Sequence, residues 1–279
     1  MYEKPILKVR HLHKQFGKGC TQCQEGHSES LQKNYCPKCG TVYACRDVSF
    51  DLFPGEILGI VGESGSGKST MMQCLYFDEA VTSGEAYVND SDLMGKNMFE
   101  LSAQQKRSIR NHKYGMVYQN PVHGLKMDFS SIGNIAEKLI AAGKRYVNEM
   151  EATSKNLLDS VHIPLFRMKE EPQNFSGGMQ QRVQIAKALS NNPPILFLDE
   201  VTTGLDLSVQ ANVLDLIKKI QRELGISMVV VSHDLAVIRM LADRTVVMLN
   251  GSIIEEGLTD QILEDPQRAY TQQLVYSLI

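Results

Sequence analysis

The chain has 279 residues, a formal net charge of −3, 43% hydrophobic residues and 7% aromatic residues. Such a length supports a sizeable core divided into about one or two domains, and an aliphatic-rich, aromatic-poor composition favours an α/β architecture over a sandwich. The slight acidity offers no basic footprint for nucleic acid or for an anionic membrane surface. No uninterrupted apolar run reaches the ~18 residues that a spanning helix needs. The opening MYEKPILKVRHLHKQFG lacks an apolar signal region, so a soluble, cytoplasmic protein is expected, with any membrane role supplied by a partner.

In chain order, Ile6 to Arg10 predicts a short strand with Lys14, Gln15 and Phe16 behind it, and Asp47 to Leu52 alternates like a half-buried strand. Between them lies the polar insertion CTQCQEGHSESLQKNYCPKC. Its paired CxxC knuckles, Cys20 with Cys23 and Cys36 with Cys39, supply four thiolates suited to a tetrahedral structural Zn²⁺ in a segment with little core of its own. His27 and Cys45 read as ordinary loop or strand residues before they read as substitute ligands, and Cys74 reads as a small buried side chain. Pro54 and Gly55 turn into an apolar strand at Ile57 to Val61, followed by GESGSGKS and a helix from Thr70. A strand and turn at Gly84 to Asn89, a charged helix from Ser102 to His112 and a short strand from Tyr114 to Tyr118 come next. Gly133 to Val161 is mostly helical, within a helical lobe of roughly residues 120–185. A turn at Pro172 leads into FSGGMQQR, whose Ser176 opens a helix running on through Gln180 to Leu189. Strands at Ile195 to Leu198 and Met228 to Val231 flank a helix over Ser208 to Leu224, and a hairpin around Asn250 and Gly251 joins Arg244–Leu249 to Ser252–Glu256.

The chemistry-bearing motifs fall at element ends. In the stretch Gly62, Glu63, Ser64, Gly65, Ser66, Gly67, Lys68, Ser69 and Thr70, glycines allow backbone N–H groups to curl into an anion-binding concavity. Lys68 supplies a charge for β- and γ-phosphates, and Ser69 a hydroxyl for Mg²⁺. Ser176, Gly177 and Gly178 make a second anion-seeking helix start. Asp199 and Glu200 end a buried strand, the first suited to hold Mg²⁺ and the second to orient an attacking water. His233 ends another strand, placed to meet a γ-phosphate.

Taken together, these segments resemble the nucleotide-binding domain of the ABC ATPases over nearly all of the chain except the cysteine insertion. The resemblance adds Gln119 at the Q-loop position, Ser176 to Gln180 as the signature segment, Asp206 in the D-loop and His233 as the switch histidine. It implies an α/β P-loop NTPase core across residues 1–279, with an antiparallel β subdomain, the helical subdomain and the zinc-knuckle insertion at residues 20–39. It also implies ATP and Mg²⁺ as ligands, Gln119 at the metal and the γ-phosphate, and Phe16 as the adenine platform. The insertion follows Phe16 closely, so Tyr35 and Tyr43 are alternatives, and Val201 stands where many members have proline. The family further implies dimerisation, with Ser176, Gly177, Gly178 and Gln180 closing on ATP held by a second ABC subunit, a homodimer before a heterodimer. Within the family, YQNPVHGL, GNIAEKL and GLTDQILEDPQRAYTQQLV are similar to the ATP-binding subunit of bacterial carbon–phosphorus lyase systems, which implies docking on a soluble lyase core. Oligopeptide or nickel importer subunits share the DPxxxYTxxL tail and imply membrane permeases as partners. A nucleotide-binding scaffold with little turnover is a third reading, and Glu200 argues against it.

Overall fold

The structure is a computed structural model that describes residues 4–24 and 31–276. The chain divides into two compact units, Met1–Leu101 with Val231–Ile279, and Ser102–Val230.

The first unit begins with β1 (Leu7–Phe16), followed by the short α1 (Thr21–Gln24) and β2 (Val42–Leu52). β1 is the middle strand of an antiparallel sheet of order β2-β1-β4, where β4 is Ser83–Val88. Leu7, Val9 and Leu12 face inward against Val48, Phe50 and Leu52, which gives the sheet one buried face. Both long strands extend beyond the sequence expectation, β1 to Phe16 and β2 back to Val42. The register shifts near His11 and Asp47, which have φ of 49° and 57°. Each shift breaks the alternation that marks a strand in sequence. Lys14 adds to the effect, because a charged residue sits at an inward position, 8% exposed, with its ammonium 2.6 Å from Glu79.

β3 (Ile57–Val61) is buried along its length and feeds α2 (Lys68–Leu75). The helix starts two residues before Thr70, with left-handed Gly67 at its N-cap.

In the second unit, α3 (Ala103–His112) carries a full capping box between Ser102 and Gln105. β5 (Tyr114–Val117) pairs in parallel with β6 (Ile195–Asp199), Tyr114 opposite Ile195. β7 (Ser227–Val231) lies on the other side of β6. All three strands are buried, as apolar runs in parallel sheets are. Between β5 and β6 come α4 (Pro121–Gly124), α5 (Ser131–Ala141), α6 (Val147–Ser160) and α7 (Gly177–Leu189), with α5, α6 and α7 packed on one another. α8 (Leu207–Leu224) buries Val213, Leu214, Leu216, Ile217 and Ile220 along one face and stops at left-handed Gly225.

The chain then returns to the first unit through α9 (Leu235–Leu241), β8 (Arg244–Leu249), β9 (Ser252–Leu258), α10 (Thr259–Glu264) and α11 (Ala269–Tyr276). β8 pairs in parallel with β3 and turns at Asn250 and Gly251 into antiparallel β9. α9 lies tight on β3, since a Cβ at Gly59 would come within 2.8 Å of Ala242 and Ile238. Arg244 bonds to Glu56 at 2.8 Å, and also to Glu256 and to the Asp51 carbonyl, so one guanidinium ties the hairpin to β2.

Candidate nucleotide and metal sites

The first unit holds the glycine-rich loop. β3 drives the chain into it, and Gly62, Gly65 and Gly67 take φ of 151°, 81° and 103°. A Cβ would lie 2.2 Å from the Met248 carbonyl oxygen at Gly62 and 1.9 Å from that of Ala44 at Gly67, so the fold itself demands glycine at both. Lys68 is 4% exposed and donates from Nζ to the carbonyls of Gly62 (2.7 Å) and Glu63 (2.9 Å) and to Ser66 Oγ (3.3 Å). These three acceptors hold the ammonium over the loop. The Gly251 N–H donates to the Ser66 carbonyl from below. At the rim, the Glu63 N–H donates to the Tyr270 phenol oxygen of α11 at 2.8 Å. His233 is exposed, one residue beyond Ser232, whose N–H bonds to the Ile60 carbonyl at the end of β3. Phe16 (44% exposed) and Tyr35 (41%) both present ring surface, whereas the Tyr43 hydroxyl donates to the Cys23 carbonyl.

The second unit holds the carboxylates. Asp199, 5% exposed, ends β6, and Glu200 follows in a left-handed conformation at φ 45°. Such backbone strain in a non-glycine residue is characteristic of functional sites. Gln119 Nε2 donates to Glu200 Oε2 at 2.8 Å and Thr203 Oγ1 donates to the same oxygen at 3.2 Å, which fixes the carboxylate from two sides. Val201 is buried, and its carbonyl accepts from Gln181 Nε2. Gln181 is in turn bonded to Gln184, which both donates to and accepts from the Tyr118 backbone. This pair of buried amides on α7 links the loop after β5 to the loop after β6.

Ser176 caps α7 by accepting from the Met179 N–H, while Gln180 donates to the carbonyls of Pro172 and Phe175. Gly178 is pressed on α8, a Cβ there lying 2.3 Å from Val209. Asp206 caps α8, and the Val209 amide and Ser208 hydroxyl that donate to it hold its carboxyl below the usual range. The structure thus brings Gln119 to Glu200, and the Ser176 helix start to the segment capped by Asp206. The phosphate loop, Phe16 and His233 belong to the first unit, and Gln119, Ser176 to Gln180, Asp199, Glu200 and Asp206 to the second. Ser69, Asp199 and Gln119 offer hard oxygen donors of the kind Mg²⁺ prefers. Thr203 and Gln184 are supporting residues outside every motif, whereas Gln181 falls within FSGGMQQR and Tyr270 is the tyrosine of the DPxxxYTxxL tail, neither of which reveals the contact it makes. For Gln184 the local signal is its spacing of three from Gln181 on an otherwise apolar helix face.

The sulfurs of Cys20, Cys23, Cys36 and Cys39 all lie within 4.8 Å of one another, the only such group among the described residues. Cys20 is 3.6 Å from Cys23 and 3.9 Å from Cys36, and Cys23 is 3.7 Å from Cys39. A tetrahedral zinc with its usual bonds to sulfur separates thiolates by about 3.8 Å, so the donor set fits that ion. These spacings are far longer than the ~2.05 Å of a disulfide. Hydrogen bonds with Thr41 pull the Cys39 thiol down to about 6, toward the thiolate a metal requires. Cys45 and Cys74 lie elsewhere, buried, with burial pushing both thiols up, Cys74 to about 11. His27 lies outside the described residues.

A glycine cradle under a buried lysine, a strand-end carboxylate pair and a serine-capped glycine helix start define a nucleotide-hydrolysing cassette. The chain belongs to the ABC transporter family, whose family model matches residues 45–203, and it is an ATPase that uses ATP with Mg²⁺. It is 45% identical over 233 residues, 84% of this chain and 90% of the relative, to the putative phosphonates utilization ATP-binding protein PhnK of Escherichia coli (strain K12). It is 38% identical to the oligopeptide transport ATP-binding protein OppD of Bacillus subtilis (strain 168), covering 86% of this chain and 67% of that one. Among solved structures it resembles the dimeric post-hydrolysis state of the ATP-binding cassette MJ0796 bound to ADP and Pi. There the TM-score is 0.75 and the identity 28%, covering 91% of this chain and 98% of that one.

Proposed function

We propose that this chain is the ATP-hydrolysing subunit of a phosphonate-degrading machinery, closing as a dimer on ATP and docking on a soluble carbon–phosphorus lyase core. The observation that carries the reading is its 45% identity with PhnK, against 38% with OppD. In the proposed reaction, water attacks the γ-phosphorus in line and the bond to the bridging oxygen breaks, that oxygen leaving on ADP with the electron pair. Glu200, steadied by Gln119 and Thr203, orients the water and takes its proton. Lys68 neutralises charge on the transferring group, and Gln119 and His233 sense the γ-phosphate. Mg²⁺, when bound, neutralises the developing charge on the phosphate oxygens, and Ser69, Asp199 and Gln119 are assigned to hold it. Ser176, Gly177, Gly178 and Gln180 are assigned to the ATP of the opposite subunit, with Asp206 beside them, and Phe16 to the adenine.

The four cysteines are assigned to a structural zinc on the strength of their sulfur spacing. The tail pattern shared with oligopeptide importers and the identity with OppD support a second reading, a peripheral subunit on membrane permeases. Co-purification of the tagged chain from its own cells discriminates them. Recovery with soluble lyase subunits is the expected outcome, and recovery with integral-membrane permeases overturns the first reading in favour of the second.

A further inference from the structure

The cysteine insertion reaches the phosphate loop. Gln32 and Tyr35 bond to each other through their backbones at 2.9 and 3.0 Å, forming a tight turn with Lys33 in the left-handed region at φ 58°. From that turn Asn34 Nδ2 donates to the Gly65 carbonyl at 3.3 Å, and the Lys33 ammonium lies 3.2 Å from the Glu63 carboxylate. Gly65 and Glu63 are both phosphate-loop residues. The same turn is held by the cysteine cluster. Tyr35 precedes Cys36 and bridges to Val42, and the Cys36 N–H donates to the Thr41 carbonyl at 2.8 Å. Tyr43 joins the parts, its N–H donating to the Asn34 carbonyl at 2.8 Å and its hydroxyl to the Cys23 carbonyl at 3.2 Å. One residue further, the Ala44 carbonyl oxygen sits against Gly67.

We propose that metal occupancy of the four-cysteine site sets the affinity of the phosphate loop for a nucleoside triphosphate, with Lys33 and Asn34 as the positioning residues that transmit it. The proposal rests on the zinc reading. A polar turn with so little apolar burial is ordered chiefly by the ion that gathers its flanking thiolates. With the ion gone, the Gly65 carbonyl loses its donor and Glu63 its counter-charge, and the loop must be ordered by the nucleotide itself. One neutral hydrogen bond and one exposed ion pair correspond to about a three- to ten-fold weakening of binding.

The test uses the full chain and direct titration with magnesium and ATPγS, alongside metal content by mass spectrometry. Asn34→Ala and Lys33→Met combined in one chain are expected to keep about one zinc per chain, bind about three- to ten-fold more weakly and leave the maximal ATP turnover rate unchanged, each single change giving part of that loss and Lys33→Arg restoring the part that Lys33→Met loses. Zinc removal from wild type with a zinc-selective chelator, then dialysed away, is expected to reproduce the loss of the double variant. Removal from the double variant is expected to add little. Zinc that is present and removable with no change in wild-type affinity overturns the coupling and leaves the metal assignment standing. A chain that never carries zinc overturns both.

Discussion

At the scale of single residues, the glycine loop and the strand-end carboxylates use backbone strain for different ends. Gly67 is needed because no side chain fits between the loop and the Ala44 carbonyl, so Gly67→Ala is expected to weaken MgATP binding at least about tenfold. Equilibrium titration checks this, and an alanine variant with unchanged affinity would show that the loop can shift. Glu200 holds its strained φ of 45° while Gln119 and Thr203 grip one carboxylate oxygen. Glu200→Gln keeps the shape and loses the proposed base. It is expected to bind ATP as wild type does and to turn it over about 10²–10³-fold more slowly, as measured by phosphate release. Equal loss of affinity and turnover would reassign the residue. Glu200 was legible in sequence because two acids ending an apolar strand form a local pattern. Thr203 was not, since a threonine in a polar loop is ordinary until its hydroxyl is seen on that carboxylate.

Among the secondary-structure elements, α7 does two jobs. Its first turn presents Ser176 and the glycines, and its inner face carries the Gln181–Gln184 amide pair to the backbones of Val201 and Tyr118. Gln184→Leu removes both partners of the Tyr118 backbone on that side and is expected to destabilise the fold by about 2 kcal/mol in denaturant titration. The extents of β1 and β2 were the least readable part of the fold, because register shifts at His11 and Asp47 and the inward Lys14 all disguise strand periodicity. Lys14 also sets an acid dependence. Its hydrogen bond holds the Glu79 carboxyl below the usual range, a contribution to stability that is present above the unfolded value of about 4.3 and lost as pH falls through the folded one. Wild type is therefore expected to melt above Glu79→Gln at neutral pH, with the gap closing as the medium is acidified below about pH 4. A gap independent of pH would remove this pair from the account.

For the whole molecule, the helices Leu235–Leu241, Thr259–Glu264 and Ala269–Tyr276 went unread, while motifs carried the family and the residues proposed for nucleotide contact. The long-range bonds that brace them, such as Arg244 to Glu56 or Asn34 to Gly65, join residues too distant in sequence for any local pattern to reveal. Arg244→Met leaves the mostly buried Glu56 carboxylate without its guanidinium and is expected to cost about 3 kcal/mol of stability. Thermal and denaturant melts measure it. The proposed dimer is a prediction at this scale too, since Glu200→Gln with MgATP is expected to run at twice the monomer mass in light scattering. A strictly monomeric, ATP-loaded variant would reject the closing clamp.

The bond from Glu63 to Tyr270 joins positions 207 residues apart. During synthesis the glycine loop leaves the ribosome long before the tyrosine that latches its rim. A nascent chain therefore carries an unlatched cradle until residue 270 has emerged and docked, and that rim contact is among the last the polypeptide acquires.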